Sequence, residues 1–168
     1  MKNNKSPKIA DSEKETILTQ EGLHKLEEEI EHLKGTRRKE IAERIKQAKE
    51  FGDLSENAEY DDAKNDQAFV EGRILQIEQM LRSARVIDNH AGNSDTVAVG
   101  STVRLKDIGA GDEIKYTIVG SAEADPLQDR ISNESPVGHA LIGRKRGETV
   151  TIRVPAGTLK YTILEITP

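Results

Sequence analysis

The sequence lacks cysteine and tryptophan and has few aromatic residues of any kind. Without cysteine, the 168-residue chain has no disulfide framework, no thiolate metal site and no cysteine nucleophile. Aromatic residues form 3% of the chain and charged residues 33%, which leaves too little bulky apolar material for one large core. The composition therefore favours long solvated helices with a small compact module, and it fits a reducing cytoplasm.

Long apolar runs are also missing, so the sequence predicts no membrane-spanning helix. Residues 1–16 are polar and lack the apolar segment of a secretion signal, and we interpret them as a flexible N-terminal tail. The net charge of -5 argues against a surface that binds nucleic acid everywhere, but it is compatible with a local basic stripe.

Helical periodicity dominates residues 17–88. Thr19 is a candidate N-cap, and apolar residues then recur every three or four positions on both sides of a short reversal around Gly52. The 11-residue step from Arg37 to Ala48 predicts that this part of the first helix runs nearly straight. Two such seams around one reversal predict an antiparallel coiled-coil hairpin, with arms of about 45 Å at about 1.5 Å per residue.

Beyond a linker at 89–95, rich in Gly, Asn and Ser, the helical period gives way to a period of two. We predict strands at 101–106, 113–119, 149–154 and 159–166. Ser135 as N-cap, Pro136 at the first helical position and Gly143 past the end predict one short helix between the strand pairs. Residues 96–168 are therefore predicted to form a small domain with a mainly antiparallel sheet, which makes the chain an α+β protein of two domains.

The helical reversal, residues 50–62, is the acidic tip of the predicted hairpin. Seven carboxylates lie within and just beyond it, against a single base, Lys64. They are Glu50, Asp53, Glu56, Glu59, Asp61, Asp62 and Asp66. Like charges held this close destabilise a turn, and such a local cost often marks a functional site.

Two interpretations of Asp53 and Glu56 stay open on the local pattern alone. Their spacing of three allows Asp53 to be an N-cap with Glu56 as its capping-box partner. It also places two hard oxygen donors on one side of the helix start, where they can hold Mg²⁺ incompletely until another protein supplies the remaining ligands.

A basic stripe occupies the distal half of the first helix. Its members are Arg37, Arg38, Lys39, Arg44, Lys46 and Lys49. The stripe can attract phosphates beside the acidic tip, where Lys49 and Lys64 lie nearest. Alternatively, it is a solvated face with intrahelical pairs such as Glu40–Arg44.

Other catalytic chemistries find little support in the sequence. His24 and His32 can share a helix face but lack a third metal ligand nearby. His139 and Ser135 lack the oriented acid and the nucleophile turn of a hydrolase, and capping explains Ser135 better. No glycine-rich phosphate-binding loop is present.

One stretch carries a specific resemblance. Residues 52–60, Gly-Asp-Leu-Ser-Glu-Asn-Ala-Glu-Tyr, closely resemble the signature of the bacterial GreA/GreB transcript cleavage factors. Segments 71–74, 84–88, 131–136 and 141–143 are similar to the same family, and the resemblance covers roughly residues 17–167. The form of residues 58–60 and the modest basicity of the tip resemble the GreA branch more than the GreB branch.

The resemblance implies a fold, a partner and a mechanism. Family members combine a coiled-coil hairpin with a C-terminal domain of FKBP-like fold. That domain docks at the rim of the secondary channel of bacterial RNA polymerase, on its largest subunit, and the hairpin enters the channel. The two tip acids, here Asp53 and Glu56, help to hold the second Mg²⁺ of the polymerase active site. The polymerase then cleaves backtracked nascent RNA near its 3′ end, which creates a new 3′ end.

The same resemblance assigns further roles by position. It implies that Lys49 and Lys64 contact RNA and that Glu134, Ser135 and Pro136 dock on the polymerase. It also implies a cytoplasmic monomer that is not an enzyme alone. The free protein is expected to bind Mg²⁺ hardly at all, since two carboxylates on an exposed tip leave most coordination to water.

Two rival functions follow from the same sequence. A proline isomerase needs an apolar pocket walled by aromatic residues, and the C-terminal domain offers only Tyr116 and Tyr161. A related factor that occupies the channel and inhibits the polymerase is the alternative within the family. Its tip acids would be altered, whereas Asp53 and Glu56 match the cleavage-active pattern.

Overall fold

The structure is a computed structural model that describes residues 15–50, 58–87 and 95–168. Three sequence-based predictions fall wholly or largely beyond these residues. They are the tail at 1–16, apart from its last two residues, the central part of the tip at 51–57, and the linker at 89–95, apart from its last residue.

Two long antiparallel helical arms form the N-terminal part. The first arm consists of α1 (Gln20–His32), a π-helical segment (Leu33–Arg37) and α2 (Arg38–Glu50), and the second is α3 (Ala58–Arg82). The predicted helix start is confirmed, since the Thr19 hydroxyl accepts a hydrogen bond of 3.0 Å from the backbone N–H of Gly22. The two antiparallel arms confirm the predicted helical hairpin.

The π-helical segment was not predicted. Within it, the N–H of Arg38 donates to the carbonyl of Leu33, five residues earlier. Seam residues are four apart from Leu33 through Arg37 and Ile41, which is wider than the heptad average of 3.5. A π-helical turn holds more residues than an α-helical turn, so it accommodates this wider spacing. Gly35, a weak helix former, lies inside the π-helical segment.

The hairpin core is thin. Near the base, Leu18, Leu26 and Ile77 form one buried cluster. Farther along, Ile41, Val70 and Ile74 form a second. Beyond this second cluster, the buried residues that the structure describes toward the acidic end are the small Ala48 and Ala63. Since each helix buries just one narrow stripe, most of its surface stays in water.

A two-stranded parallel sheet closes the base of the hairpin. Strand β1 (Thr16–Thr19) enters α1, strand β2 (Ala84–Ile87) leaves α3, and Thr16 pairs with Ala84. Sequence analysis missed both strands, because each is only four residues long and their partners are far apart in the chain. Leu18 of β1 is fully buried in the cluster at the base.

The C-terminal part is a five-stranded sheet in the order β5-β4-β3-β7-β6. Its strands are β3 (Thr102–Asp107), β4 (Glu113–Val119), β5 (Arg130–Ser132), β6 (Thr149–Val154) and β7 (Gly157–Thr167). The four predicted strands are confirmed and pair antiparallel. The short edge strand β5 was missed and pairs parallel with β4, so the sheet is mixed.

The predicted short helix is α4 (Pro136–Leu141), with Ser135 as its N-cap. Gly143 follows in the left-handed region at φ 80°, as expected for a residue past a helix end. Leu141 is fully buried against the sheet, in a core with Val103, Leu105 and Ile163. The predicted α+β architecture is thereby confirmed. Among the described helices, none combines the length and the apolar character needed to cross a bilayer.

Candidate functional site

The acidic end of the hairpin is the first candidate site. Asp53 and Glu56 lie outside the described residues, so their capping and metal-binding roles stay predictions. The structure does place their flanks: Glu50 ends α2, and Glu59 and Asp61 lie in the first turn of α3. Acidic side chains such as Glu59 and Asp61 are favourable in the first turn of α3, because the helix dipole is positive at its N-terminus.

Arg44 neutralises two of the seven carboxylates. Its guanidinium donates to Glu59 Oε1 at 2.8 and 3.0 Å and to Asp66 Oδ2 at 2.5 Å. The hydrogen bonds to Glu59 and then to Asp66 raise the pKa of Arg44. One cation thereby joins α2 to two positions on α3, close to the acidic end.

The remaining described carboxylates of the tip form no ion pair with the described part of the chain. Glu50, Asp61 and Asp62 are exposed, and none has a cation partner within residues 15–50, 58–87 and 95–168. Negative charge therefore persists at the far end of the hairpin, where it can attract a divalent cation.

The two predicted RNA-contacting bases, Lys49 and Lys64, are both exposed. Lys64 Nζ donates to Gln67 Oε1 at 2.6 Å, which is a neutral partner on its own helix. Lys49 forms no ion pair with the part of the chain that the structure describes. Both ammonium groups therefore keep their charge available at the surface, and their contact with RNA stays a prediction.

Two members of the basic stripe, Arg38 and Arg44, pair with carboxylates of α3, and the predicted Glu40–Arg44 pair is wrong. Glu40 pairs instead with Arg37, at 2.5 Å. Arg38 binds Glu71 of α3 through two hydrogen bonds of 2.7 and 2.5 Å. Arg38 and Arg44 reach across the seam because α3 places carboxylates opposite them, whereas Arg37 pairs along its own arm. Lys39 and Lys46 stay exposed, with no ion pair in the described ranges.

The predicted docking turn, Glu134, Ser135 and Pro136, is held rigidly. The Ser135 hydroxyl accepts from the N–H of Gly138 at 3.0 Å and donates to the carbonyl of Ser132 at 2.7 Å. The Glu134 carboxylate accepts a hydrogen bond of 2.8 Å from the hydroxyl of Ser121. Since these bonds fix the turn, the exposed side chains of Glu134 and Pro136 have a defined presentation.

A cleft of about 340 Å³ lies beside this turn. Its walls come from the base of the hairpin, including Ile17 and Met80, and from the sheet domain, including Asn133 and Glu134. The side-chain oxygen Asn133 Oδ1 is buried with no hydrogen-bond partner in the described structure. The cleft therefore offers a partner an apolar wall and the exposed carboxylate of Glu134.

None of the histidines that the structure describes, His24, His32 and His139, belongs to a candidate metal site. His24 Nε2 lies 3.2 Å from Glu28 Oε1 on the same helix turn. Across the described ranges there is no group of three or more His, Cys, Asp or Glu side chains placed to hold a metal ion. His139 is exposed on α4, while the Ser135 hydroxyl is engaged as the helix cap.

Sequence analysis missed a polar cluster where the hairpin base meets the sheet domain. The carboxylate of Glu123 accepts from the N–H and the hydroxyl of Thr19, at 2.8 and 2.5 Å. Arg130 Nη2 lies 3.3 Å from Glu123 Oε1, and its Nη1 lies 3.5 Å from Glu21 Oε1. No local signal identifies the role of Glu123 in the domain contact, because its partner Thr19 lies 104 residues earlier in the chain.

These features define a class of protein: a long helical arm with a charged far end, carried by a small sheet domain with a rigid surface turn. The family models for "Transcription elongation factor, N-terminal" and "Transcription elongation factor, GreA/GreB, C-term" match residues 16–86 and 92–168. The chain belongs to the GreA/GreB family of transcription elongation factors.

Close relatives share nearly the full length. A protein named transcription elongation factor GreA from Caldanaerobacter subterraneus subsp. tengcongensis is 59% identical over 153 residues, which cover 91% of this chain and 98% of that protein. The GreA of Clostridium acetobutylicum is 60% identical over 154 residues, covering 92% and 98%. Among solved structures, GreA factor homolog 1 of Thermus thermophilus is similar at 27% identity and a TM-score of 0.43, covering 92% of this chain and 100% of that one.

Proposed function

We propose that this protein stimulates RNA polymerase to cleave its own backtracked transcript. The sheet domain docks at the rim of the polymerase secondary channel, and the hairpin carries Asp53 and Glu56 into the active site. We further propose that it acts as a monomer in the cytoplasm, where it meets polymerase and the nascent RNA 3′ end. The acidic motif at 52–60, at the end of a hairpin arm, is the observation that carries the proposal.

The donor set of the tip fits a shared Mg²⁺. Mg²⁺ prefers carboxylate oxygens and keeps several waters when only one or two carboxylates bind it. Asp53 and Glu56 would supply two such oxygens, and Glu50 and Asp61, which flank the motif in sequence or lie at its end, have no cation partner in the described ranges. When bound there, the ion would stabilise charge on the attacking oxygen, as second ions do in two-metal phosphoryl chemistry.

The residues of this chain contribute positioning and charge. In the proposed reaction, water adds its oxygen to a phosphorus atom of the RNA and the 3′ oxygen leaves, which yields a new 3′ hydroxyl and a short fragment with a 5′ phosphate. Asp53 and Glu56 orient that water, while Lys49 and Lys64 hold neighbouring phosphates. The turn of Glu134, Ser135 and Pro136 contributes to docking, alongside the cleft next to it.

The length and stiffness of the arm support this role. Thirty-one residues from Gln20 to Glu50 span about 45 Å at about 1.5 Å per residue, which suits a buried target. Ion pairs between Arg38 and Glu71 and between Arg44 and Glu59 join the two helices along the outer half. An arm held in this way can deliver side chains to a fixed point without a large core.

The test is transcript cleavage by stalled polymerase complexes with wild type, Asp53→Ala and Glu56→Ala. Each variant is expected to lower the cleavage rate by about a hundredfold or more, the scale of losing a group that acts on transition-state charge. Polymerase binding should be kept. Asp62→Ala is the matched control, because Asp62 lies just outside the 52–60 motif and is an exposed tip carboxylate without a cation partner in the described ranges. Unchanged cleavage by both tip variants would rule out the mechanism, and wild type that inhibits without cleaving would favour the inhibitory alternative.

A further inference from the structure

The contact between the hairpin base and the sheet domain centres on the carboxylate of Glu123. Glu123 ends a 3₁₀ turn, Ser121–Glu123, that follows β4 in the sheet domain. Its side chain is only 5% exposed. Both carboxylate oxygens point into the hairpin: Oε2 accepts from the N–H of Thr19 at 2.8 Å and Oε1 from its hydroxyl at 2.5 Å.

Glu123 thereby completes the N-terminal cap of α1 from outside the hairpin. The Thr19 hydroxyl accepts from the N–H of Gly22 while it donates to Glu123, so the two domains share one hydrogen-bond chain. An anion at this place is favoured by the helix dipole. Hydrogen bonds to a charged acceptor are also stronger than neutral ones, and burial increases the cost of breaking them.

Arg130 ties the same carboxylate back to the sheet and to the first turn of α1. Its side chain is 17% exposed and lies between Glu123 Oε1, at 3.3 Å, and Glu21 Oε1, at 3.5 Å. Contacts with Arg130 and with Lys25 lower the pKa of Glu21, the hydrogen bond to Lys25 most strongly. One arginine from β5 thus bridges an acid of its own domain and an acid of the hairpin.

Two glycines show how closely the domains approach. A Cβ atom at Gly22 would lie 2.1 Å from Glu123 Cδ, and a Cβ at Gly120 would lie 1.8 Å from the carbonyl oxygen of Ile17. Neither glycine is among the residues with a positive φ, so backbone conformation does not require glycine at these positions. Only glycine leaves room for the atoms of the other domain.

We propose that Glu123 is a positioning residue that fixes the angle between the hairpin and the sheet domain, and so sets where the tip acids arrive after docking. This inference rests on the proposed function. Because the arm is about 45 Å long, a tilt of about 10° at its base moves its far end by about 8 Å. Catalytic geometry is far less tolerant, since a misplacement of about 1 Å can cost about a hundredfold in rate.

The first measurement is the spread of domain orientations in the full chain. The sequence has no cysteine, so Lys46→Cys on α2 and Arg153→Cys on β6 provide two unique sites for spin labels. Both native side chains are exposed. Pulsed electron paramagnetic resonance should give a narrow distance distribution with Glu123 present and one at least about twofold wider with Glu123→Ala, because the bonds to Thr19 and Arg130 are lost together.

The matched control is Glu113→Ala. Glu113 pairs with Arg104 at 2.9 Å, but both residues belong to the sheet domain. Its loss removes a carboxylate and an arginine contact without touching the domain contact, so the distance distribution should stay narrow. Gly120→Ala is a second variant that forces the domains apart by volume alone, and it should widen the distribution with every charge kept. Circular dichroism checks that each variant remains folded.

The second measurement separates positioning from docking in the cleavage reaction. With Glu123→Ala, cleavage at saturating protein should fall about tenfold, while the protein concentration for half-maximal effect changes less than about twofold. Glu123→Gln keeps an oxygen acceptor for Thr19 and should give an intermediate loss. A distribution that stays narrow in both Glu123→Ala and Gly120→Ala would overturn the inference. So would wider distributions with unchanged cleavage, or a loss confined to polymerase affinity.

Failure of the proposed function gives a different result. If Asp53→Ala and Glu56→Ala both cleave normally, the tip mechanism fails whatever Glu123 does. If Asp53→Ala is inactive but Glu123→Ala is fully active, the tip mechanism holds and the positioning role of Glu123 is wrong. The spin-label distances are measured on the free protein and depend on neither outcome.

Discussion

The hairpin and the sheet domain are stabilised in different ways. Ten buried side chains form one continuous core in the sheet domain, including Leu141 and Ile163, both fully buried. In the described part of the hairpin there are two small clusters with three buried residues each, linked by the partly buried Ile30 and Leu33, which pack against both. Its helices are joined in addition by ion pairs on the surface, such as Arg38–Glu71 and Arg73–Glu29. The domain proposed to dock therefore has a large buried core, and the arm proposed to enter a channel has a small one.

The difference shows what a slender arm requires. Two helices can bury only one stripe each, so apolar burial cannot provide most of the stability that holds them together. Charge-assisted hydrogen bonds across the seam add specificity of register, because each guanidinium fits only where a carboxylate lies opposite. We therefore expect the two regions to respond differently to core substitutions, to acid and to salt.

The largest expected effect is loss of a core side chain in the sheet domain. Ile163→Ala should lower the free energy of unfolding by about 2 to 5 kcal/mol, because it removes a fully buried side chain and leaves a cavity. Urea denaturation measures this change. Ile108→Ala is the matched control, since Ile108 is 52% exposed and should change the free energy of unfolding by less than about 0.5 kcal/mol. Equal effects at the two sites would contradict a deep core in this domain.

An intermediate effect is expected from acid in the hairpin. The hydrogen bonds from Arg73 are the main reason that the pKa of Glu29 lies below its usual 4.5. Since the folded state holds the charged form more strongly, Glu29 adds stability at neutral pH, and this contribution is lost as pH falls below about 4.5 through the folded pKa. The pair is partly exposed, so we expect only about 0.5 kcal/mol.

Glu29→Gln tests this expectation. The stability difference from wild type should be constant above about pH 5 and should shrink as the pH falls below the unfolded pKa of 4.5. Glu27→Gln serves as the control, because Glu27 is exposed on the same helix with no ion pair in the described ranges. A difference that grew toward low pH would show that the direction of the pKa shift is wrong.

The smallest effect is expected from salt on the outer half of the hairpin. Arg44→Gln removes the contacts to Glu59 and Asp66, so the helical signal should melt at a slightly lower temperature in dilute buffer. The difference should vanish near 1 M NaCl, where the Debye length is about 3 Å. Lys46→Gln removes the same charge from an exposed position without an ion pair in the described chain, and it should leave the melting unchanged. A salt-independent loss would mean that Arg44 acts through packing instead.

Local patterns in the sequence predicted most of the architecture. Thr19 and Ser135 were predicted as caps because a hydroxyl before a helical period is a local signal, and both predictions are confirmed. The strand pairs were predicted because alternation has a period of two over six or more residues. The pairing of β1 with β2 was missed because these strands lie at opposite ends of the helical segment, and β5 was missed because it has only 3 residues.

The candidate site was predictable to a different degree. Asp53 and Glu56 followed from a motif, and they stay predictions because their positions lie outside the described residues. Helical spacing suggested Glu40 as the partner of Arg44, but the partners come from α3, and spacing along one helix carries no information about a second helix. Glu123 had no signal at all, since its role depends on Thr19 in the other domain.

The small parallel sheet at the base of the hairpin also determines at which end the two helices separate first. Because β1 precedes α1 and β2 follows α3, their pairing ties together the two ends of the helical segment. Fraying is thereby blocked at the end where the chain enters and leaves, and the cluster of Leu18, Leu26 and Ile77 reinforces the same end. Transient separation of the helices should begin instead beside Ala48 and Ala63. Amide hydrogens are therefore expected to exchange fastest at the acidic end and progressively more slowly toward the sheet domain.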